Sequence, residues 1–378
     1  MKRAFAVIWI LALCLGLMIY CFTHAPVAQD DESQPSLEQT QETTLSTQAP
    51  EEPDLLYLPV YVQEPEEKAA WEQVAQAYAQ TSGVEMTLVE DPEQAVVMIL
   101  TDGGQVAGWS DRCMELGGSG AYAQLIDWDL AVRYEEKVCA IPTRMEGLGL
   151  ICDTQLLAQY YSLSEITDFG KLREVVGTLS EAGIPVFATA DPQTFAVLLA
   201  SLPEGGRDLI DLYLASGGTM QEGGGLDQIL QGQAMFYLGS TAEYRIQDGT
   251  VPGILPICLG HEDLREHTLG VVGSQVILVR NDGTTEQIQV AMEFLDSLVV
   301  PDESGVVPLD GVQCMSPFRQ TTYASNALEQ TLRWDLVSGK ECLACTPDEH
   351  TVEDLTAALL AYVADPTDEN WAKFQSLI

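Results

Sequence analysis

Hydrophobic and polar positions follow three successive patterns along this chain. The first residues are an uncharged run, Ala4 to Phe22, rich in Ile, Leu, Val and Ala and preceded by Lys2 and Arg3. A positive start before an apolar stretch is the pattern of an export signal, and nineteen apolar residues also suffice to cross a bilayer as a helix. Residues 1–23 are therefore read as a signal or membrane anchor. Residues 24–53 carry Gln, Thr, Ser, Pro, Asp and Glu with hardly any large apolar side chain, as in Gln29-Asp30-Asp31-Glu32-Ser33-Gln34-Pro35. Such a stretch cannot bury enough surface to fold and reads as a flexible acidic stalk.

From Asp54 onward the pattern alternates between helical and strand periods. Leu55 to Val62 predicts a strand, with Pro59 arguing against a fully paired central position. Trp71, Val74, Ala75 and Tyr78 fall at i, i+3, i+4 and i+7, a helix with one apolar face that Ser82-Gly83 stops. Val84 to Val89 alternates as a strand, and Ala95 to Leu100 is a continuous apolar run ending at Thr101-Asp102-Gly103-Gly104. This order predicts an α/β lobe. In such sheets ligands sit beyond the carboxyl ends of the strands, which places Gln63-Glu64 and Asp102 at a candidate crevice.

A second series follows. Lys137 to Pro142 and Gly149 to Cys152 predict two strands, and Leu172, Val175, Val176 and Leu179 mark a helix. Ile184 to Ala190 reads as a strand closing at Asp191-Pro192, with further strands at Ala234 to Leu238, Ile254 to Ile257 and Ser274 to Val279. The glycine clusters Gly217-Gly218 and Gly223-Gly224-Gly225 match no phosphate-binding motif and read as turns. Ile288, Ala291, Met292, Leu295 and Leu298 mark a late helix, and Thr351 with Asp354 resembles a capping box before Val352, Leu355, Leu359 and Tyr362. No internal repeat is visible.

Composition narrows the function. A chain of 378 residues that is 46% hydrophobic can supply a core to each of two domains. Fifty-seven acidic against seventeen basic residues give a formal charge of −40, which repels nucleic acid and anionic lipid, so no nucleic-acid partner is expected. None of the four histidines sits in a nucleophile or metal motif, and Gly-x-Ser-x-Gly, His-Glu-x-x-His and phosphate loops are missing. A non-enzymatic protein is expected; a glycosidase using two acids would need a carboxylate pair facing across a cleft. Cys342 and Cys345 form a Cys-x-x-Cys followed by His350, but no second half-site matches, so a local disulfide or free thiols are expected rather than zinc. No metal or cofactor is expected. Cys113, Cys139, Cys152, Cys258 and Cys314 are scattered, and those inside apolar runs suit small buried hydrophobes. Cys21 is the candidate for a lipid anchor, although Tyr20 stands where a lipoprotein signal carries a small residue; an uncleaved helix is the alternative.

The most specific stretch runs Val138-Cys139-Ala140-Ile141-Pro142-Thr143-Arg144-Met145-Glu146-Gly147-Leu148-Gly149-Leu150-Ile151-Cys152-Asp153-Thr154-Gln155-Leu156-Leu157. It resembles the "Tyr-Ala-Ile-Pro, then Gly-Leu-Ile-Tyr-Asn-Lys-Asp-Leu-Leu" signature of extracellular solute-binding proteins of carbohydrate ABC transporters, the class that includes the maltodextrin-binding proteins. Other blocks are similar in the same order: Trp71 to Val89, Gln231 to Gly239, Val251 to Ile257, and Ala291-Met292-Glu293-Phe294-Leu295. The likeness covers nearly all of 54–378. It implies a two-lobe α/β, periplasmic-binding-protein-like fold of type II, with a hinge and a ligand cleft between the lobes. By this analogy the first lobe is 54–126 plus 267–307 and the second 127–266 plus 308–378. A monomer that captures a small polar solute, a saccharide being expected, and delivers it to ABC permease subunits is implied. A membrane-anchored surface sensor that keeps the fold without transport is the alternative.

Carried over by position, Glu146 falls where maltodextrin-type members place a carboxylate that accepts hydrogen bonds from sugar hydroxyls, and Asp102 matches an acidic loop residue of the first lobe. A carboxylate suits this role because its two oxygens accept neighbouring hydroxyl protons in charge-assisted bonds. Arg144 is expected either to clamp an anionic group or to pair with Glu146. Trp109 and Phe195 are candidate stacking platforms for a sugar ring, a core role being the other reading of Phe195. Gly239-Ser240-Thr241-Ala242-Glu243-Tyr244 departs from the family's Gly-x-Trp, leaving Glu243 and Tyr244 as candidate ligand contacts.

Overall fold

A computed structural model describes residues 56–101, 103–202, 206–244, 251–256, 270–301, 307–312, 315–321, 326–338, 343–344 and 352–378. The apolar leader with Cys21, the acidic stalk, Asp102, Cys258, Cys314, the Cys342/Cys345 pair, Thr351 and all four histidines lie outside these residues. Asp54–Ile378 forms one compact unit.

The first strand, β1 (Tyr57–Val62), leads into α1 (Lys68–Ser82), which buries Trp71, Val74 and Ala75 and ends as the spacing predicts. Gly83 takes φ of +73°, a left-handed conformation that costs glycine little, and its N–H closes the last turn on the Ala79 carbonyl at 3.0 Å. The strand β2 (Glu85–Val89) and then β3 (Val97–Leu100) pair in parallel with β1 on either side. This corrects the expectation from Pro59: β1 is interior, and Pro59 is tolerated because pairing with β3 starts one residue later, at Val60. Its carbonyl still accepts the Val96 N–H at 2.9 Å.

After the short β4 (Val132–Tyr134) comes the longest element, β5 (Lys137–Asp153). Two strands, Lys137 to Pro142 and Gly149 to Cys152, were expected here. The structure keeps one strand of 17 residues and absorbs the proline in register shifts between Pro142 and Met145. The residue that the shift leaves unpaired is Thr143, while Pro142 stays in register with Val276. Within this irregularity the fully buried Thr143 hydroxyl donates to Gln275 Oε1 at 2.8 Å.

The second lobe adds α2 (Phe169–Glu181), α3 (Pro192–Ala200), α4 (Arg207–Ala215), β6 (Phe236–Ser240) and β7 (Pro252–Leu255). Residues 184–190 were expected to be a strand; they make only isolated bridges, Phe187 to Phe236 and Ala190 to Met220. The chain then returns through β8 (Gly270–Val279) and α5 (Thr285–Ser297), followed by α6 (Ala327–Val337), the two-residue β9 (Leu343–Ala344), α7 (Val352–Ala364) and α8 (Asp368–Gln375).

The sheet order is β2-β1-β3-β8-β5-β4, with β6 and β7 on the far half of β5 and β9 on β8. Thus β8 pairs with β3 through Val97 to Leu100 and with β5 from Ile141 to Leu148, while β5 continues to pair with β6 and β7 from Leu148 to Asp153. The antiparallel β5/β8 ribbon passes from one lobe into the other.

Each lobe has its own apolar core. One gathers Leu58, Val60, Trp71, Val97, Ile99, Ile277, Phe294 and Phe318. The other gathers Leu150, Phe169, Val175, Phe195, Tyr213, Phe236, Leu355, Tyr362 and Phe374. Each such side chain taken from water contributes roughly 1.5–3 kcal/mol.

Candidate functional site

The ends of β1 and β3, the β5/β8 ribbon and the start of α3 together wall a cavity of about 520 Å³. Small-molecule sites commonly span about 300–1,000 Å³. The first lobe supplies Glu64 after β1, and Thr101 and Gln105 after β3. Gln63 ties these turns together, its side-chain oxygen accepting the Thr101 N–H at 3.1 Å, and Gln105 donates to the Thr101 hydroxyl at 3.0 Å. The ribbon supplies Glu146 and Leu148 from β5 and Val272, Gly273 and Ser274 from β8. The second lobe closes the far wall with Gln193, Thr194 and Val197 of α3 and Val352 and Glu353 of α7.

Local chemistry sets these positions. Helix α3 opens at Pro192, where a missing N–H costs nothing, and the Asp191 carboxylate accepts the Gln193 and Thr194 N–H groups at 3.0 and 2.9 Å. The same carboxylate accepts the Gly223 N–H at 3.0 Å, joining the helix start to the glycine turn. Glu146, half-buried on β5, accepts a hydrogen bond from the Ser240 hydroxyl. The turn that carries Ser240 is fastened to β5 by Thr241, whose hydroxyl oxygen accepts the Gly147 N–H at 3.0 Å. Thr241 is fully buried, and its carbonyl accepts from Asn326 Nδ2 at 2.8 Å. Thr241 therefore braces the turn.

Charge in the cavity is one-sided. Glu64 stands at the rim, and its carboxyl is held above the ordinary range by partial desolvation first, then by the charge of Glu67. Arg144 opposes that shift, and Glu66 and Glu146 add to it. Arg144 pairs with Glu67 at the start of α1, and the Gln275 side-chain amide donates to the same carboxylate.

The other candidates are dispersed. Phe195 is fully buried, edge-on to Tyr213 at 5.2 Å between ring centroids, and offers no face to a sugar. Trp109 lies under the guanidiniums of Arg112 and Arg280, at 5.1 and 5.3 Å, away from the cavity lining. Tyr244 is buried in a satellite core with Ile151, Ile229 and Tyr237. Glu243 lines a separate hollow of about 390 Å³ with Gly223, Gly224, Gly225, Leu226, Asp227 and Leu230. Burial pushes its carboxyl up to about 7, although the Tyr237 hydroxyl and the Ser240 N–H, at 3.2 Å, both donate to it. Gly224, at φ of +62°, is required there, since a Cβ would fall 2.2 Å from the Tyr237 oxygen. Of the seven candidate contacts, only Glu146 lines the main cavity, and Asp102 is outside the described residues.

The sequence did not single out Thr101, Gln105, Gln193, Thr194, Ser240, Ser274 or Glu353. The Asp191-Pro192 helix start could have flagged Gln193 and Thr194; lone small polar residues on strands carry no signature. Among the described residues no group of three or more His, Cys, Asp or Glu could hold a metal ion, and no helix is long and apolar enough to cross a membrane. Cys113, Cys139 and Cys152 are buried free thiols, and burial pushes Cys139 and Cys152 up to about 12.

No protein-family model and no curated protein sequence matches the chain. Solved structures do. The bacterial solute receptor AcbH, described as having an exclusive substrate preference for β-D-galactopyranose, superposes with a TM-score of 0.61 at 8% identity, over 85% of this chain and 97% of its own. The maltose-bound T. maritima MalE3 superposes with a TM-score of 0.56 at 12% identity, over 85% of this chain and 98% of its own. At such identities the likeness shows the fold: a two-lobe α/β, periplasmic-binding-protein-like fold of type II.

Proposed function

We propose that this protein is an extracytoplasmic receptor that captures a small polar solute between its lobes and passes it to an ABC permease. The carrying observation is the cavity itself. It lies where the two lobes meet the ribbon, and its wall is built from carboxylate, amide and hydroxyl groups of both lobes, Glu64, Gln105, Glu146, Gln193, Thr194 and Ser274. Groups that both accept and donate suit a hydroxyl-rich ligand, and a saccharide is the solute class the two similar receptors hold. The leader from Lys2 to Phe22 supports tethering outside the cell. Binding rather than turnover is the reading, in keeping with the likeness to two solute receptors.

The test is a thermal-shift screen of the full chain against mono- and oligosaccharides, amino acids and polyols. A ligand that prefers the folded state raises stability by about 2.7 kcal/mol at a hundred times its Kd. Glu146→Ala is expected to weaken the hit about 10- to 100-fold, the range of a charge-assisted hydrogen bond. Silence over the whole panel would favour a surface sensor that retains the fold without transport.

A further inference from the structure

Two of the buried thiols stand together. Cys113 directly follows the segment Gly103–Arg112, and Cys139 lies on β5; both are buried in one apolar cluster with Val106, Val132, Ala140 and Leu278. The Ser110 carbonyl oxygen lies 3.2 Å from the Cys113 sulfur and 4.0 Å from the Cys139 sulfur, and the two thiols hydrogen-bond each other. Main-chain contacts on both sides fix this placement. The Leu116 N–H donates to the Val138 carbonyl at 2.9 Å, and Lys137 Nζ donates to the Ser110 and Cys113 carbonyls at 3.2 and 2.6 Å. Cys113 also bridges Arg280, the residue after β8.

Small apolar side chains would fill these positions as well. What distinguishes the pair is two sulfurs against one oxygen, in a chain whose leader directs it to compartments where disulfides form and persist.

We propose that Cys113 and Cys139 are a disulfide site, closed as the exported chain folds. This rests on the extracytoplasmic placement proposed above. The oxidant is a disulfide, that of glutathione or of a thiol oxidoreductase. One cysteine thiolate attacks it to form a mixed disulfide, and the second displaces the oxidant's remaining sulfur. The oxidant leaves as two thiols carrying the two protons, and two electrons have passed to it from the cysteines. Exchange precedes closure of the core, because the thiolate is the reactive form and burial disfavours it. The same burial then keeps reductant from the finished bridge. Residues 114–138 fall inside the closed loop, and Gly103–Arg112, which carries Gln105 of the cavity wall, is fastened to β5.

Peptide mapping of the full chain, leader included, made in a secreting bacterial host tests the site. The protein is unfolded in urea with iodoacetamide and no reductant, then digested with trypsin. Cleavage after Arg112, Arg133, Lys137 and Arg144 puts the two cysteines on separate peptides, 113–133 and 138–144. The expected result is that these two peptides run as one linked species that reductant splits. Chain that protease added to intact cells can digest, yet that yields both peptides separately alkylated, would overturn the bridge. Chain protected inside the cells would overturn the export reading instead; the same mapping after oxidation in a glutathione buffer then decides the bridge, linked peptides supporting it and separate ones overturning it. A second measurement reads its effect. The Cys113→Ala/Cys139→Ala variant is expected to melt about 5 °C below the parent, the shift that closing a loop of this length implies in a domain of this size. Most of that gap is expected to vanish when both are melted in reductant; a gap unchanged by reductant would show packing alone and overturn the bridge.

Discussion

At the residue scale, Glu243 carries a pH dependence that the fold imposes on itself. Its carboxyl titrates near 7 in the folded protein, above the ordinary value of 4.5, because it is buried. Below pH 4.5 both folded and unfolded chains hold the proton and nothing distinguishes them. Between 4.5 and 7 the unfolded chain releases a proton that the folded chain retains, so stability falls as pH rises, and the loss is complete above 7. Glu243→Gln removes this cost while keeping an acceptor for the Tyr237 hydroxyl. Melting curves of variant and parent are expected to coincide near pH 4 and to separate by on the order of 1–3 kcal/mol in the variant's favour at pH 8. Residue identity alone hid this difference: Glu146 and Glu243 are both acids close to the family-like motifs. The spacing of the β5 block put Glu146 on the cavity wall, whereas the turn at Ser240 directs Glu243 into another hollow. Aromatic character misled in the same way, since Phe195 and Trp109 are good stacking groups already used by Tyr213 and by two arginines.

Elements with one apolar face were legible, and those without one were not. Helix α1 shows its buried stripe at Trp71, Val74 and Ala75 and its stop at Gly83. Helix α3 buries Phe195, Ala196, Val197, Leu198 and Leu199, so no polar face marks its period, yet it forms one wall of the site. The β5 strand was read as two, and the partner that holds it as one, β8, lies about 130 residues away in sequence. The capping residue Asp191 makes α3 testable. Asp191→Ala removes the acceptor for Gln193, Thr194 and Gly223 N–H groups. It is expected to cost ~1 kcal/mol in chemical denaturation, in the range known for helix caps. Ligand affinity is expected to fall with it, because Gln193 and Thr194 line the cavity.

Across the whole molecule, the β5/β8 ribbon makes the two cores share hydrogen bonds. Trp71→Ala in one core and Phe195→Ala in the other are each expected to cost about 3–5 kcal/mol. Because the ribbon belongs to both lobes, each variant is expected to shift the same calorimetric transition; two resolved transitions, moved separately, would show lobes that melt independently.

That shared ribbon also governs when a growing chain can fold. The sheet begun at Tyr57 is joined through β8, which pairs with β3 and starts only at Gly270, and the second core is finished by Tyr362 and Phe374 near the end. Neither half can close while most of the chain is still on the ribosome. The nascent polypeptide therefore stays pliable until its last segments emerge.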